Sequence, residues 1–319
     1  MKELSRTPAL VLGTMTFGKQ VDEETADSIL EFFLASGYRE IDTAHDYCKG
    51  TTEEILGRIL TPERRKKIYL ATKVNPWGDG GLRPESVRNQ LDTSLQRLKT
   101  DSIDLLYLHA PDLKTPIEVT LAVCQELFRE GRFRELGLSN FAAWQVADIW
   151  HICQRNGWVL PTVYQGMYNG ITRAVEPELL PALRNFGIRF YAFNPLAGGL
   201  LTGKHLSIDD YPSEGRFVIL DIYQERYWTQ GYFDALEKLR QQSRQHGVEM
   251  AGSALRWALH HSMLDGALRD TVIIGMSNFA QLVANMDSAG QGALPEEMCT
   301  AYDRAWAVAR PVCPPYFRT

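Results

Sequence analysis

Residues 103–139 read IDLLYLHAPDLKTPIEVTLAVCQELFREGRFRELGLS, and this stretch decides the fold. An apolar run at Ile103–His109 precedes a helical pattern that begins near Ile117. Gly131 stands where a left-handed helix C-cap is needed, and a second apolar run fills Phe133–Ser139. A whole helix separates the two runs, so they pair in parallel, since each return needs a crossover.

The same unit recurs on both sides. Further strands are predicted at Leu10–Gly13, Glu40–Asp42, Ile68–Lys73, Thr162–Gln165, Ile188–Asn194 and Thr271–Gly275. Helices are predicted to begin near Asp22, Thr52, Arg83, Ala142, Arg173, Tyr232 and Phe279. Arg83-Pro84-Glu85 puts a proline and an acid into a first turn, where the missing N–H is harmless. Val87, Leu91, Leu95 and Leu98 then share one helical face, and Gly37 and Gly187 repeat the cap of Gly131. Eight strands alternating with helices predict an α/β protein, a closed (β/α)8 TIM barrel forming a single domain over 1–319. A doubly wound sheet is the alternative, weakened because no G-x-G-x-x-G follows the first strand. The irregular region 195–230, with Pro195, Gly198, Gly199, Gly203, Pro212 and Gly215, reads as a long active-site loop. A helix at Met250–His261 precedes the last strand, and one at Pro295–Val308 follows the barrel.

Composition narrows the function. A chain with 45% hydrophobic and 23% charged residues is ordinarily globular. Its net charge is −5, and its one basic cluster, Arg64-Arg65-Lys66-Lys67, reads as a solvated helix end or loop, which argues against nucleic acid as partner. The five cysteines, Cys48, Cys124, Cys153, Cys299 and Cys313, are odd in number, irregularly spaced and without C-x-x-C. That disfavours a disulfide framework and a zinc site and suits a reducing compartment. The first thirty residues carry no basic-then-apolar signal, and no apolar run matches a bilayer, so the expectation is a cytoplasmic protein without a membrane partner.

The polar residues at predicted strand ends carry the chemistry: Asp42, Lys73, His109, Ser139–Asn140, Gln165, Asn194 and the Gly275–Ser277 turn. From Asp42 to Asn194 they are spaced by 31, 36, 30, 26 and 29 residues, one βα unit each. In a barrel, all strand C-termini open on one face, so these groups would ring one mouth. Tyr47 lies five residues past Asp42 in the following loop. A phenol titrates near about 10 and is a poor acid at neutral pH unless a nearby ammonium favours the phenolate. Lys73 offers that charge, Asp42 can hold Lys73, and His109 can orient a carbonyl oxygen. Taken singly, each has a blander reading: a packed aromatic, a structural ion pair, a core imidazole. No metal-ligand cluster is legible, since His260 and His261 point to different helix faces. Cys48 reads as a small semi-buried residue, and the absence of G-x-S-x-G disfavours a serine hydrolase.

In order, these words resemble the aldo-keto reductase superfamily: Gly13-Thr-Met15, Glu40-Ile-Asp-Thr-Ala44, Ala71-Thr-Lys73, Asp104-Leu-Leu-Tyr-Leu-His109 and Gly137-Leu-Ser-Asn140. Leu160–Asn169, Asn194–Lys204 and the ending Cys313-Pro-Pro-Tyr-Phe-Arg318 are similar to the aflatoxin-aldehyde and succinic-semialdehyde reductase branch. The resemblance implies a catalytic tetrad of Asp42, Tyr47, Lys73 and His109, and NADPH/NADP+ as cofactor. It places the nicotinamide carboxamide on Ser139, Asn140 and Gln165, with Met15 and Asp42 nearby and Tyr191 or a neighbouring aromatic stacked on the ring. Asn194, Pro195, Leu196, Gly198, Leu200 and Lys204 would wrap the pyrophosphate, and Gly275, Met276, Ser277, Gln281 and Asn285 would hold the adenosine end. Arg216 would pair with a 2′-phosphate, as its fork of donors suits phosphate. Tyr223, Arg226 and Arg318, with His109, would bind the small-molecule carbonyl substrate, including its carboxylate. A homodimer is implied by the same likeness. Thr52 stands where the branch has serine, and Val218–Gln224 is diverged. Two rival readings use the same fold: a regulatory subunit that binds cofactor and turns over slowly, and a catalytically dead scaffold, which would be expected to lose a tetrad residue.

Overall fold

A computed structural model describes residues 6–213, 215–219 and 221–318, the side chains of Arg216 and Ile219 excepted. Eight parallel strands close into one barrel in chain order. They are β1 (Ala9–Gly13), β2 (Glu40–Asp42), β3 (Tyr69–Val74), β4 (Ile103–Leu108), β5 (Phe133–Ser139), β6 (Pro161–Met167), β7 (Arg189–Phe193) and β8 (Thr271–Ile274). β8 pairs back onto β1 from Ala9↔Thr271 to Leu12↔Ile274, which removes both sheet edges.

The helices between strands are α1 (Glu23–Ala35), α2 (Thr51–Ile59), α3 (Pro62–Arg65), α4 (Pro84–Leu98), α5 (Ile117–Arg129), α6 (Ala143–Asn156) and α7 (Leu179–Phe186). The β7–β8 crossover carries α8 (Arg216–Ile219), α9 (Asp221–Tyr227), α10 (Gln230–His246) and α11 (Met250–His260). α12 (Phe279–Ala289) follows β8, and α13 (Glu296–Ala309) packs outside the barrel against α10. Val87, Leu91, Leu95 and Leu98 are all buried on α4, and Gly37, Gly131 and Gly187 all adopt positive φ.

Two shells make up the core. The larger lies between sheet and helices, and the smaller fills the barrel with Val11, Ala71, Leu105, Tyr107, Val163 and Ile273. Gly137 admits the Tyr107 ring, since a Cβ there would lie 2.4 Å from it. Polar groups close the N-terminal end: Tyr191 donates to Glu40 at 2.7 Å, Tyr69 donates to Glu135 at 2.8 Å, and Arg189 pairs with Glu135 at 2.8 Å. The strand C-termini are thereby left to carry the site.

Three expectations need correction. The helix after β6 starts at Leu179 rather than near Arg173, because Asn169–Thr172 forms a bridged turn and Arg173 bonds back to the Gly170 carbonyl at 2.9 Å. Pro177 also disfavours helical backbone just before it. Region 195–230 is not a plain loop: it holds a 3-10 stretch at Ala197–Thr202 as well as α8 and α9. The basic cluster is only half solvated, since Arg64 pairs with Asp27 and Arg65 reaches the buried Asp104 at 3.0 Å.

Gly57 shows sterics overruling propensity. Alanine is favoured over glycine in a helix by about 1 kcal/mol. Here a Cβ would lie 1.9 Å from the Arg97 carbonyl oxygen, a backbone atom that cannot swing aside. Gly57→Ala is therefore expected to lower unfolding free energy by about 1–3 kcal/mol, the range for overpacking. A urea melt with an unchanged or raised midpoint would contradict this.

Candidate active site

The strand ends converge as barrel geometry requires. Lys73, at the mouth end of β3, is 0% exposed. Its ammonium donates to Asp42 Oδ2 at 2.7 Å, to the Thr43 carbonyl at 2.7 Å and to the Tyr47 hydroxyl at 3.2 Å. An ammonium has three donors, and all three are used. Burial pulls Lys73 below its ordinary value, and the Asp42 carboxylate opposes that pull. The other Asp42 oxygen accepts from Gln165 Nε2 at 2.7 Å, which ties β2 to β6 across the barrel.

Tyr47 reaches Lys73 from an unusual loop. Cys48 and Lys49 sit at φ 48° and 55°, and Gly50 follows at φ 98° before α2 begins. Left-handed backbone at two non-glycine residues costs about 1–2 kcal/mol each. Such strain persists only where the surroundings hold it. Thr52 is buried and donates to the Phe17 carbonyl at 2.8 Å, so its hydroxyl is already committed.

His109 lies beside Tyr47, with ring centroids 6.0 Å apart, and edge-on to Trp77 at 4.7 Å. Burial first, then the charges of Lys73 and Arg318, hold its imidazole well below the usual value. A neutral imidazole keeps one N–H to donate. Its Nδ1 has no hydrogen-bond partner among the described residues, and Asp46 Oδ1 stands off at 3.7 Å.

The expected carboxamide residues are neighbours. Ser139 and Gln165 are register partners on β5 and β6. Asn140, at φ 64°, donates from Nδ2 to the His109 carbonyl at 2.8 Å and to Ser139 Oγ at 3.0 Å. Across the mouth, Asn194 accepts from the Tyr223 hydroxyl at 3.1 Å and keeps a buried Nδ2 without a partner among the described residues. Gly198 and Gly199 follow at φ 70° and 110°. A Cβ on Gly198 would meet the Tyr223 ring at 2.5 Å, while Gly199 faces open space. Strand-end amides, an orphan donor and a left-handed glycine turn together fit an amide-bearing, phosphate-linked dinucleotide.

The other expected cofactor residues are spread along this rim. Pro195 and Leu200 are buried, Met15 and Leu196 half-buried, and Lys204 exposed. Gly275 is exposed, Met276 is buried, and the Ser277 N–H donates to Gln281 Oε1 at 2.8 Å, with Asn285 buried farther along α12. The Arg216 side chain lies outside the described residues. Tyr191 is redirected: its hydroxyl bonds Glu40 at the closed end, away from the mouth. Two residues on and facing the same side, the half-buried Phe193 is the aromatic that reaches the strand end.

Arg226 and Arg318 converge as well. The Arg318 guanidinium stacks on Trp77 at 5.3 Å, and its backbone N–H donates to the Asn140 carbonyl at 2.9 Å. Burial, then the neighbouring Arg226 charge, pull Arg318 below its ordinary value, and its buried Nε lacks a partner among the described residues. Two crowded guanidiniums with a spare donor suit an anionic group. Sequence reasoning missed Asp46 and Trp77, although each lies within a few residues of a strand end, the same signal that marked the others.

A profile of the Aldo/keto reductase family matches residues 9–307. The chain is 48% identical to human aflatoxin B1 aldehyde reductase member 4, over 99% of each chain. It is 47% identical to mouse aflatoxin B1 aldehyde reductase member 2, over 98% of this chain and 88% of that one. An aldo-keto reductase of Pseudocercospora fijiensis is 38% identical over 91% of this chain and all of that one.

The depressed imidazole has a consequence for stability. The unfolded chain takes up a proton at His109 near about pH 6.5, while the folded chain does not until lower pH. The stabilisation is fully present above about pH 6.5 and fades as pH falls toward the folded value, by up to about 1.4 kcal/mol per pH unit. His109→Gln should flatten the stability decline between neutral and mildly acidic pH. Denaturant midpoints of the two proteins that fall in parallel on acidification would count against it.

Proposed function

We propose that this chain, which belongs to the aldo/keto reductase family and is an oxidoreductase using a nicotinamide cofactor, reduces aldehydes and reactive ketones to alcohols with NADPH. The observation that carries the reading is one contact: the Tyr47 hydroxyl 3.2 Å from a wholly buried ammonium, that of Lys73. The cofactor supplies the hydride when bound. Ser139, Asn140 and Gln165 would hold its carboxamide, Asn194 to Lys204 its pyrophosphate, and Gly275, Ser277, Gln281 and Asn285 its adenosine. Arg216 would take the 2′-phosphate, which is the basis for NADPH over NADH.

The chain's own residues handle the proton. Tyr47 gives its hydroxyl proton to the carbonyl oxygen, and the Lys73 ammonium stabilises the phenolate left behind. Asp42 keeps the ammonium in place, 2.7 Å away. His109, neutral by burial, donates an N–H to the same carbonyl oxygen and sets its direction. Arg226 and Arg318 would anchor a carboxylate at the far end of the substrate, which favours short acidic aldehydes such as succinic semialdehyde. The chain's relatives among the aflatoxin B1 aldehyde reductases point to aldehydes, and dialdehydes and 1,2-diketones fit the same chemistry. No described helix is long and apolar enough to cross a membrane. By likeness to the family branch, we place the enzyme in the cytoplasm as a homodimer.

The test is NADPH consumption by purified protein with succinic semialdehyde, 4-nitrobenzaldehyde and a 1,2-diketone, with NADH in parallel. Multiple turnovers with NADPH are expected, and cofactor binding without turnover would sink the reductase reading. Tyr47→Phe should lower turnover by about 10²-fold or more while cofactor still binds, and near-normal turnover would remove Tyr47 as the acid. Arg318→Ala should weaken succinic semialdehyde more than 4-nitrobenzaldehyde, and equal losses would remove the carboxylate anchor.

A further inference from the structure

Glu53, the third residue of α2, is 0% exposed, and the proton chemistry above makes no use of it. It accepts from the Thr72 hydroxyl at 2.7 Å, one residue before Lys73 on β3. Its other oxygen lies 3.3 Å from the guanidinium of Arg97, near the end of α4. The same Arg97 nitrogen donates at 2.9 Å to the carbonyl of His45, two residues before Tyr47. His45 is itself held from the side, with Nδ1 3.2 Å from Ser94 Oγ.

Arg97 also lies flat beneath the far end of the loop. A Cβ on Gly50 would fall 2.3 Å from its guanidinium carbon, so only the bare glycine at φ 98° lets the two meet. The arginine therefore touches the Tyr47 loop on both sides of its left-handed residues, Cys48 and Lys49. The close seat of Gly57 on the Arg97 carbonyl oxygen locks α2 to the end of α4 and fixes Glu53 relative to Arg97. β3, α2, α4 and the strained loop thus meet at one ion pair between the buried Glu53 and the half-buried Arg97.

We propose that Glu53 and Arg97 are a positioning pair, which holds the strained loop so that the Tyr47 hydroxyl stays within reach of Lys73. Neither touches the reacting atoms; both act through Tyr47. The inference rests on the reading of Tyr47 as the acid. A purely structural ion pair would make the same contacts, so the test must separate the two roles.

The experiment is a double-mutant cycle on the full-length protein: wild type, Arg97→Met, Tyr47→Phe, and both together. Single-turnover reduction of a 1,2-diketone by excess enzyme and NADPH keeps slow variants measurable, and cofactor affinity is titrated in parallel. Arg97→Met is expected to slow the reaction by about 10-fold when Tyr47 is present and by less than about 2-fold when it is phenylalanine, because groups that act as a unit are not additive. Cofactor affinity should stay within about 2-fold throughout. Arg97→Lys, which keeps the charge, should recover part of the rate. Equal fold-losses in both backgrounds would overturn the proposal. If Tyr47→Phe alone changes nothing, the assignment of the acid fails instead, which is a distinct outcome. If Arg97→Met does not fold, Glu53→Gln replaces it, since it keeps the shape and can still bond Thr72; additive losses there would overturn the proposal equally.

Discussion

An ammonium ion placed where water cannot reach it must find its hydrogen-bond partners in the protein. Even after relaxation, removing such an ion from water costs several kcal/mol. Lys73 meets this with Asp42, the Thr43 carbonyl and the Tyr47 hydroxyl. Those partners come from the end of β2 and the loop just after it, so the geometry of the site follows from solvating one charge. Asp42 cannot turn away, because Gln165 holds its second oxygen. The phenol cannot drift, because it is one of only three acceptors.

The loop that delivers Tyr47 bears the conformational cost of this arrangement. Two non-glycine residues in left-handed backbone would relax if nothing held them. The barrel supplies the restraint from outside the sheet, through helices that pack against each other and against β3. A strand-end residue is placed by the sheet, whereas a loop residue five positions farther on needs this second layer of support. The contrast shows at the closed end, where Glu40, Glu135, Arg189 and two tyrosines bond one another and leave the chemistry to the opposite rim.

Electrostatics divides the mouth into two parts. Around Lys73, buried charges are paired and the neighbouring imidazole is kept neutral. Around Arg318, two guanidiniums crowd together, with Trp77 as a platform for one of them. The first part suits proton transfer to an oxygen atom, and the second suits holding an anionic group at a distance from it. Asp46 stands 3.7 Å from His109 Nδ1, and its carboxylate opposes the downward pull on Arg318.

Much of this was legible before any coordinates. The alternation of short apolar runs with helical patterns determined eight parallel strands, because a helix between two strands forces parallel pairing, while their closure into a barrel rather than a doubly wound sheet was decided by the tertiary structure. The recurrence of polar residues at the ends of β2 to β8 determined which side chains would meet, since all such ends open on one face. Strand ends were legible to within a residue or two because the barrel's period is written into hydrophobicity. The sequence could not show which way Tyr191 points, because neighbouring inward positions on one strand look alike until the barrel assigns one to the plug and the next to the mouth. Nor could it show that α7 starts late, because a side chain turning back on its own loop leaves no periodic trace. Glu53 and Arg97 read as ordinary helix charges. Only tertiary structure decided that they meet beneath the Tyr47 loop, because their contact depends on how α2 seats on α4, and that is set by a missing Cβ at Gly57 and another at Gly50.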